Sequence, residues 1–146
     1  MSEILTLNQV KVPGTATTRD EAIREAGQIL VDAGAVTPEY IDAMFERELS
    51  VSTFMGNSLA IPHGTNEAKS SIKASALSVV RYDEPIEWGP KGAARFVVGI
   101  AGVNNEHLSI LGKIAVIFSD TDEVEKLAAA KDSKELYDLL NAVNDD

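Results

Sequence analysis

Two histidines are the side chains of this sequence best suited to chemistry near neutral pH. His63 and His107 are its only histidines, and an unperturbed imidazole changes charge between about pH 5 and 8. His63 lies in the segment IPHGT, where a predicted strand meets a turn, and Thr65 can cap a short helix after it. Backbone N–H groups at such a place favour a phosphate or an oxyanion. The segment predicts either an imidazole that meets an anion or a loop histidine bonded to a nearby carbonyl.

His107 and Arg47 are the other candidates for a site. His107 lies in the segment NNEH, after a predicted buried strand and in the first turn of a helix, where alone it is typical of an ordinary helix residue. Both histidines follow apolar strands, however, and strand ends at one edge of a sheet can converge on one crevice. Arg47 lies in a charged helix end, where its simplest partners are Glu46, Glu48 or the helix C-terminus.

Composition excludes several classes of chemistry. The chain has no cysteine, which rules out disulfides, cysteine nucleophiles and thiolate-bound metals. A net charge of −10 opposes binding to nucleic acid and to anionic membrane surfaces. The patterns of serine hydrolases (G-x-S-x-G), P-loops and H-E-x-x-H metalloproteases are absent. Two histidines with Glu106 make a weak metal site, so no metal is expected.

Capping residues and apolar runs predict alternating helices and strands. The predicted helix caps are Thr18, Thr37 (followed by Pro38), Asn104 or Asn105, Asp120 and Asp132. Strands are predicted over residues 58–61, 74–82 and 94–101, the last of them nearly all apolar and therefore covered on both faces. The turn-rich stretch 83–92 between the last two predicts a hairpin arm.

The order of these elements predicts the fold class. Interleaved helices and strands indicate an α/β protein, a single domain over residues 1–146 with a mixed β-sheet flanked by helices on both faces. No apolar run reaches the roughly 18 residues needed to span a bilayer. The first residues lack the basic region and cleavage site of a signal peptide. We therefore expect a cytoplasmic location and no membrane insertion.

These residues resemble the mannitol-type enzyme IIA family of the bacterial phosphoenolpyruvate-dependent sugar phosphotransferase system. The matching stretches are AIPHGT with EAK (60–69), VGIA leading into NNEH (98–107), and PEY through to RE (38–48), in order over nearly the whole chain. The PHG segment is shared with fructose-type and nitrogen-regulatory relatives, whereas its continuation GT-x-EAK (64–69) and the NNEH segment (104–107) are more specific to the mannitol type. One departure is Asn57, where relatives carry Glu.

The resemblance implies a phosphoryl relay. It implies that His63 accepts a phosphoryl group from the phosphocarrier protein HPr, as a tele-phosphohistidine, and passes it to a cysteine of enzyme IIB. It further implies that His107 hydrogen-bonds the phosphoryl group and that Arg47 stabilises its charge, with no metal or organic cofactor. In-line phosphoryl transfer needs mainly positioning and charge stabilisation. Backbone N–H groups after His63 are expected to help.

The partners and the alternative function also follow from the resemblance. Because the chain has no cysteine, the acceptor is expected on a separate mannitol-type IIB–IIC transporter chain. The alternative is a regulatory module that reports its phosphorylation state by binding other proteins, as nitrogen-regulatory relatives do. The segments specific to the mannitol type favour the carrier.

Overall fold

The computed structural model describes residues 4–90 and 92–144, apart from the side chains of residues 66–68 and 105. Within that part the chain forms five strands and five α-helices. The strands are β1 (Val10–Lys11), β2 (Phe54–Gly56), β3 (Leu59–Ala60), β4 (Ala76–Glu87) and β5 (Ala93–Ala101). The helices are α1 (Arg19–Asp32), α2 (Glu39–Ser50), α3 (Glu106–Phe118), α4 (Thr121–Ala128) and α5 (Ser133–Leu140). None of these helices is long and apolar enough to cross a membrane.

The strands form one mixed sheet in the order β1-β4-β5-β3-β2. β4 and β5 pair antiparallel along most of their length, β1 runs parallel to β4, and β3 runs parallel to β5. A further parallel bridge joins His63 to Ile100 and continues the β3–β5 pairing. The carboxyl ends of β3 and β5 therefore meet at one edge of the sheet, as the sequence predicts.

Alternating side chains of β4 and β5 build two cores, one on each face of the sheet. Leu77, Phe96 and Val98 pack with residues of α3, α4 and α5. Val80 and Val97 pack with residues of α1 and α2 on the opposite face. Because successive residues of a strand point to opposite faces, this alternation buries both sides of the sheet. The predicted fold class, a mixed sheet with helices on both faces, is confirmed.

Local capping chemistry sets the predicted helix starts. The Thr18 side chain accepts a hydrogen bond from the Glu21 N–H, Asp120 from Asp122 and Glu123, and Asp132 from Glu135. Thr37 is different, since α2 begins after Pro38 without a side-chain cap. Before α3, Asn104 adopts a left-handed conformation (φ 53°) in the short 3-10 turn Val103–Asn105. The Asn105 side chain, the other predicted cap, lies outside the described residues.

The number and the ends of the strands differ from the prediction at places where pairing with a neighbouring strand determines the structure. β1 and β2 are not predicted, because two or three residues carry no period of their own and become strands only beside β4 and β3. β4 continues to Glu87 and pairs there with Ala93 of β5, so the predicted hairpin arm is present, but its first part belongs to the strand, with an irregularity between Arg81 and Ile86. Proline at position 85 fits such an irregularity, because it donates no ladder hydrogen bond.

Glu25 of α1 joins the N-terminal segment to the sheet. Its carboxylate accepts hydrogen bonds from Lys11 Nζ (2.7 Å), Tyr82 Oη (2.5 Å) and both Thr15 donors. Desolvation alone raises the pKa of Glu25, but the bonds from Lys11, Tyr82 and Thr15 outweigh it and lower the pKa to about 2. The charged form is therefore the one that the fold stabilises.

This pKa predicts a stability that depends on pH. The folded pKa is below the ordinary 4.5, so the stabilisation is complete above about pH 4.5 and declines as the pH falls towards 2. We expect Glu25→Gln to lower the free energy of unfolding by about 1–2 kcal/mol at pH 7 and by less at pH 3. Urea unfolding measures this, with the exposed Glu84→Gln as the control. An equal loss at both pH values contradicts the prediction.

Candidate active site

Both histidines open onto one cavity of about 350 Å³ at the edge where β3 and β5 end. The cavity lies between α2, the loop that carries His63, and the connection from β5 to α3. Its lining residues are Tyr40, His63, Gly64, Thr65, Lys69, Ile72, Gly102, Val103, Asn104 and His107. His63 and His107, 44 positions apart in the chain, thus line one cavity, and the convergence expected from topology is present in the structure.

The ring of His63 is held so that one particular nitrogen is free to react. Nδ1 lies 2.8 Å from the carbonyl oxygen of Ile61. A carbonyl only accepts hydrogen bonds, so Nδ1 carries the proton and Nε2 carries the lone pair. The carbonyl-bonded loop histidine and the reactive imidazole, which the sequence offers as alternatives, are therefore compatible in one geometry.

The surroundings of His63 favour its neutral form. The pKa of His63 is lowered overall, and burial is the largest cause. The charges of Arg47 and His107 also lower it, whereas the bond to Ile61 and the charge of Glu48 act in the opposite direction. A neutral imidazole is the nucleophilic one, because protonation would occupy the Nε2 lone pair. At neutral pH the ring therefore has an unprotonated Nε2.

His107 is the second residue of α3 and follows β5 after one short turn. Gly102 lies directly against it: a Cβ built on Gly102 would be 2.2 Å from the His107 nitrogen and 2.7 Å from its Cα. This close approach is possible only because residue 102 has no side chain. The glycine therefore allows the first turn of α3 to bring His107 to the cavity.

Arg47 is near enough to His63 to act on its charge but lies outside the described lining of the cavity. It is in the last turn of α2, where its Nη1 donates to the Val51 carbonyl at 2.7 Å. This is one of its simple roles expected from sequence, a cation bonded to the C-terminal end of its own helix. Its charge nevertheless acts on His63, whose pKa it lowers.

Lys69, Tyr40 and Glu48 surround His63 although sequence reasoning gives them no role in the site. Lys69 places a cation in the cavity lining, from the 3-10 helix Asn66–Ser71. The buried Glu48 accepts from Thr53 N (3.0 Å), Thr53 Oγ1 (2.5 Å) and Trp88 Nε1 (3.1 Å). The Thr53 carbonyl in turn accepts from Ile61 N at 3.0 Å, so the residue that this carboxylate binds pairs with Ile61, whose own carbonyl holds the His63 ring. The only sequence signal for Lys69 is its place in the EAK stretch.

Tyr40 changes one expectation about the site. The N–H of Gly64 donates to the Tyr40 hydroxyl at 2.8 Å. The first backbone N–H after His63 therefore already has a partner, and it is not a free donor for an incoming anion. The helical stripe of α2 predicts a buried Tyr40, which is confirmed at 2% exposure, but the stripe does not indicate the partners of its hydroxyl.

The departure at Asn57 lies away from the cavity. Asn57 is in the turn between β2 and β3 with φ 49°, a conformation that asparagine tolerates well. Its Nδ2 donates to the Phe118 carbonyl at 2.9 Å, at the end of α3. The residue thus connects the β2–β3 hairpin to a helix terminus and does not line the cavity.

The arrangement is suited to receive an anionic group. An unprotonated Nε2, a second imidazole and the Lys69 cation share one cavity, and Arg47 is near. Within the described residues, no group of three or more histidine or acidic side chains is placed to hold a metal ion.

Comparison with known proteins identifies the family. Residues 3–143 match the family model described as phosphoenolpyruvate-dependent sugar phosphotransferase system, EIIA 2. The chain is 47% identical over 142 residues to the mannitol-specific phosphotransferase enzyme IIA component of Bacillus subtilis, covering 97% of this chain and 99% of that one. Two solved Escherichia coli structures also match, enzyme IIA of mannitol in complex with phosphorylated enzyme IIB (TM-score 0.87, 36% identity, 93% and 96% covered) and IIA mannitol alone (0.86, 37%, 93% and 98%). This chain therefore belongs to the EIIA 2 family of the phosphoenolpyruvate-dependent sugar phosphotransferase system.

Proposed function

We propose that this protein is a mannitol-type phosphoryl carrier. It accepts a phosphoryl group from phospho-HPr on His63 Nε2 and passes it to a cysteine of enzyme IIB. The observation that supports the proposal most directly is the hydrogen bond between His63 Nδ1 and the Ile61 carbonyl, which leaves the lone pair on Nε2. His63 shares its cavity with His107. The similarity to mannitol-specific relatives supports the choice of system.

The proposed transfer is balanced in two steps. In the first, the Nε2 lone pair attacks phosphorus, a P–N bond forms, and the bond from phosphorus to the donor atom of phospho-HPr breaks. The imidazole then carries positive charge, which the Nδ1–H···O=C bond to Ile61 stabilises. In the second step a thiolate of enzyme IIB attacks, a P–S bond forms, and the P–N bond breaks to return neutral His63.

Cationic and polar neighbours would stabilise the phosphoryl oxygens. His107 and Lys69 share the cavity with His63. Arg47 would have to exchange the Val51 carbonyl for the phosphoryl group, and a doubly charged phosphoryl group is the stronger acceptor. No residue of this set needs a metal or an organic cofactor to act.

The acceptor thiolate must come from outside these residues, because the 146-residue sequence contains no cysteine. The Escherichia coli neighbour is a complex of an enzyme IIA with a phosphorylated enzyme IIB, which supports such a partner here. We include in the proposal a separate IIB–IIC transporter chain, a cytoplasmic site of action and a single domain over residues 1–146. The continuous five-stranded sheet and its two cores support the single domain.

The test is a reconstituted relay. The protein is incubated with labelled phosphoenolpyruvate, enzyme I and HPr, and the label is mapped to peptides; a mixture without HPr is the control. We expect acid-labile label on the peptide that contains His63, and its transfer to mannitol-type enzyme IIB when that partner is added. Label that requires no HPr, or that does not leave for enzyme IIB, contradicts the proposal.

The alternative function is a regulatory module that binds other proteins according to its phosphorylation state. The shared PHG segment allows it, whereas the mannitol-specific relatives favour the carrier. The two are separated by asking whether the phosphoprotein supports mannitol phosphorylation by a mannitol-type IIB–IIC transporter. Support for mannitol phosphorylation establishes the carrier, and phosphorylation without onward transfer favours the regulator.

Arg47→Ala and His107→Ala are expected to fold normally and to transfer slowly. Each removes a group that would bind the phosphoryl oxygens, and loss of one such contact costs about 10²-fold in rate. Rapid-quench transfer from phospho-HPr measures the effect, and urea unfolding checks the fold. Arg19→Ala, at an exposed arginine paired only with Asp20 among the ion pairs described, is the control. Transfer at the wild-type rate by both variants shows that these assignments are wrong.

A further inference from the structure

The Tyr40 hydroxyl connects the His63 loop to the end of β5. It accepts from the Gly64 N–H at 2.8 Å and donates to the Ile100 carbonyl at 2.8 Å. Tyr40 is buried at 2% exposure. Its bond to Ile100 is shielded from water, and its bond from Gly64, at the cavity, is partly buried. The α2 residue thus holds two backbone groups that are 36 positions apart in the chain.

Ile100 thereby fixes the peptide groups on both sides of His63. Its N–H donates to the Pro62 carbonyl at 3.0 Å, immediately before His63. Its carbonyl accepts from Tyr40, which in turn accepts from Gly64, immediately after His63. Ile100 therefore holds the peptide group before His63 directly and the peptide group after it through the Tyr40 hydroxyl. The second of these connections exists only because of that hydroxyl.

Packing strengthens this arrangement. A Cβ built on Gly64 would be 2.5 Å from Tyr40 Cε1 and 2.9 Å from Cζ. The aromatic ring therefore lies against the bare Cα of Gly64 and limits how the loop can shift. Tyr40 also lines the cavity that contains both histidines.

We propose that Tyr40 is a positioning residue for His63: its hydroxyl, by joining Gly64 to Ile100, fixes the direction in which Nε2 points. The inference rests on the proposed function, in which Nε2 attacks phosphorus. Tyr40 does not touch the phosphoryl group in this scheme, and its contribution is to hold the nucleophile in line.

The test compares Tyr40→Phe with Tyr82→Phe. The first keeps the ring and removes the hydroxyl that joins Gly64 to Ile100, and the second removes a buried hydroxyl bonded to Glu25, away from the cavity. Transfer from phospho-HPr is measured over a range of donor concentrations. We expect kcat of Tyr40→Phe to fall about tenfold or more, with KM for phospho-HPr within twofold, and Tyr82→Phe to match the wild type in both. A wild-type kcat for Tyr40→Phe, or a change in KM alone, overturns the proposal.

A spectroscopic measurement tests the role of Tyr40 even if the proposed phosphoryl relay is wrong. With two histidines in the chain, the ring ¹⁵N signals of His63 are assigned by comparison with a His107→Gln variant. If the wild type accepts no phosphoryl group from phospho-HPr, the proposed function fails and these signals decide the role of Tyr40. A His63 tautomer that is single in the wild type and mixed in Tyr40→Phe then supports positioning. An unchanged tautomer then overturns it.

Discussion

His63→Ala is expected to take up no acid-labile phosphate from phospho-HPr. The variant removes the imidazole whose Nδ1 is bonded to the Ile61 carbonyl and whose Nε2 has the lone pair. His107 shares the cavity, but it is not the nucleophile of the proposed transfer, so we do not expect it to accept the phosphoryl group in place of His63. We therefore expect complete loss of label for His63→Ala and slow but complete labelling for His107→Ala.

The nitrogen that carries the phosphoryl group is part of the same prediction. Because Nδ1 donates to Ile61, the phosphoryl group should be on Nε2, and ³¹P-coupled ¹⁵N spectra of the labelled protein distinguish the two nitrogens. Equal unfolding midpoints for His63→Ala and the wild type would show that loss of label is chemical. Acid-labile phosphate retained on His63→Ala, or a phosphoryl group on Nδ1, refutes the assignment.

The parts of this fold that were predictable are the ones that neighbouring residues determine. Helix starts at Thr18, Asp120 and Asp132 depend on side chains that reach only two or three residues ahead. The core of β5 is a continuous apolar run, and burial on both faces is what such a run predicts. By contrast, β1 is two residues long and owes its state to β4, more than 60 positions away. No local pattern carries that information.

The residues of the candidate site likewise include some that the sequence indicates and others whose contacts depend on distant parts of the chain. The PHG and NNEH segments point to both histidines, and the topology accounts for their meeting in one cavity. Tyr40 lies in the matching PEY stretch and in a buried helical stripe, but neither indicates its hydrogen bonds, because the partners of its hydroxyl are 24 and 60 positions away. The bond of Arg47 to Val51 was foreseeable as a helix-end contact, but its place outside the cavity lining depends on how the end of α2 packs.

Gly102→Ala is expected to displace His107 and to damage both stability and transfer. The backbone of Gly102 (φ −140°, ψ 125°) suits alanine, so the effect is steric. The added Cβ would be 2.2, 2.7 and 2.9 Å from the N, Cα and Cβ atoms of His107. Two of these are backbone atoms of the first turn of α3, which cannot rotate away as the end of a flexible side chain can. The turn itself must therefore move.

The expected size of the effect follows from overpacking and from the position of His107. Forcing a methyl group into such a contact costs about 1–3 kcal/mol of unfolding free energy, and a shift of about 1 Å in a catalytic group can slow transfer about 10²-fold. Gly112→Ala is the matched control: it adds the same methyl group within α3, where nothing lies within 4 Å. There alanine should stabilise the helix by about 0.5–1 kcal/mol and leave transfer unchanged. If Gly102→Ala unfolds more readily but transfers at the wild-type rate, the position of His107 does not matter to the reaction, and its assigned role must be withdrawn.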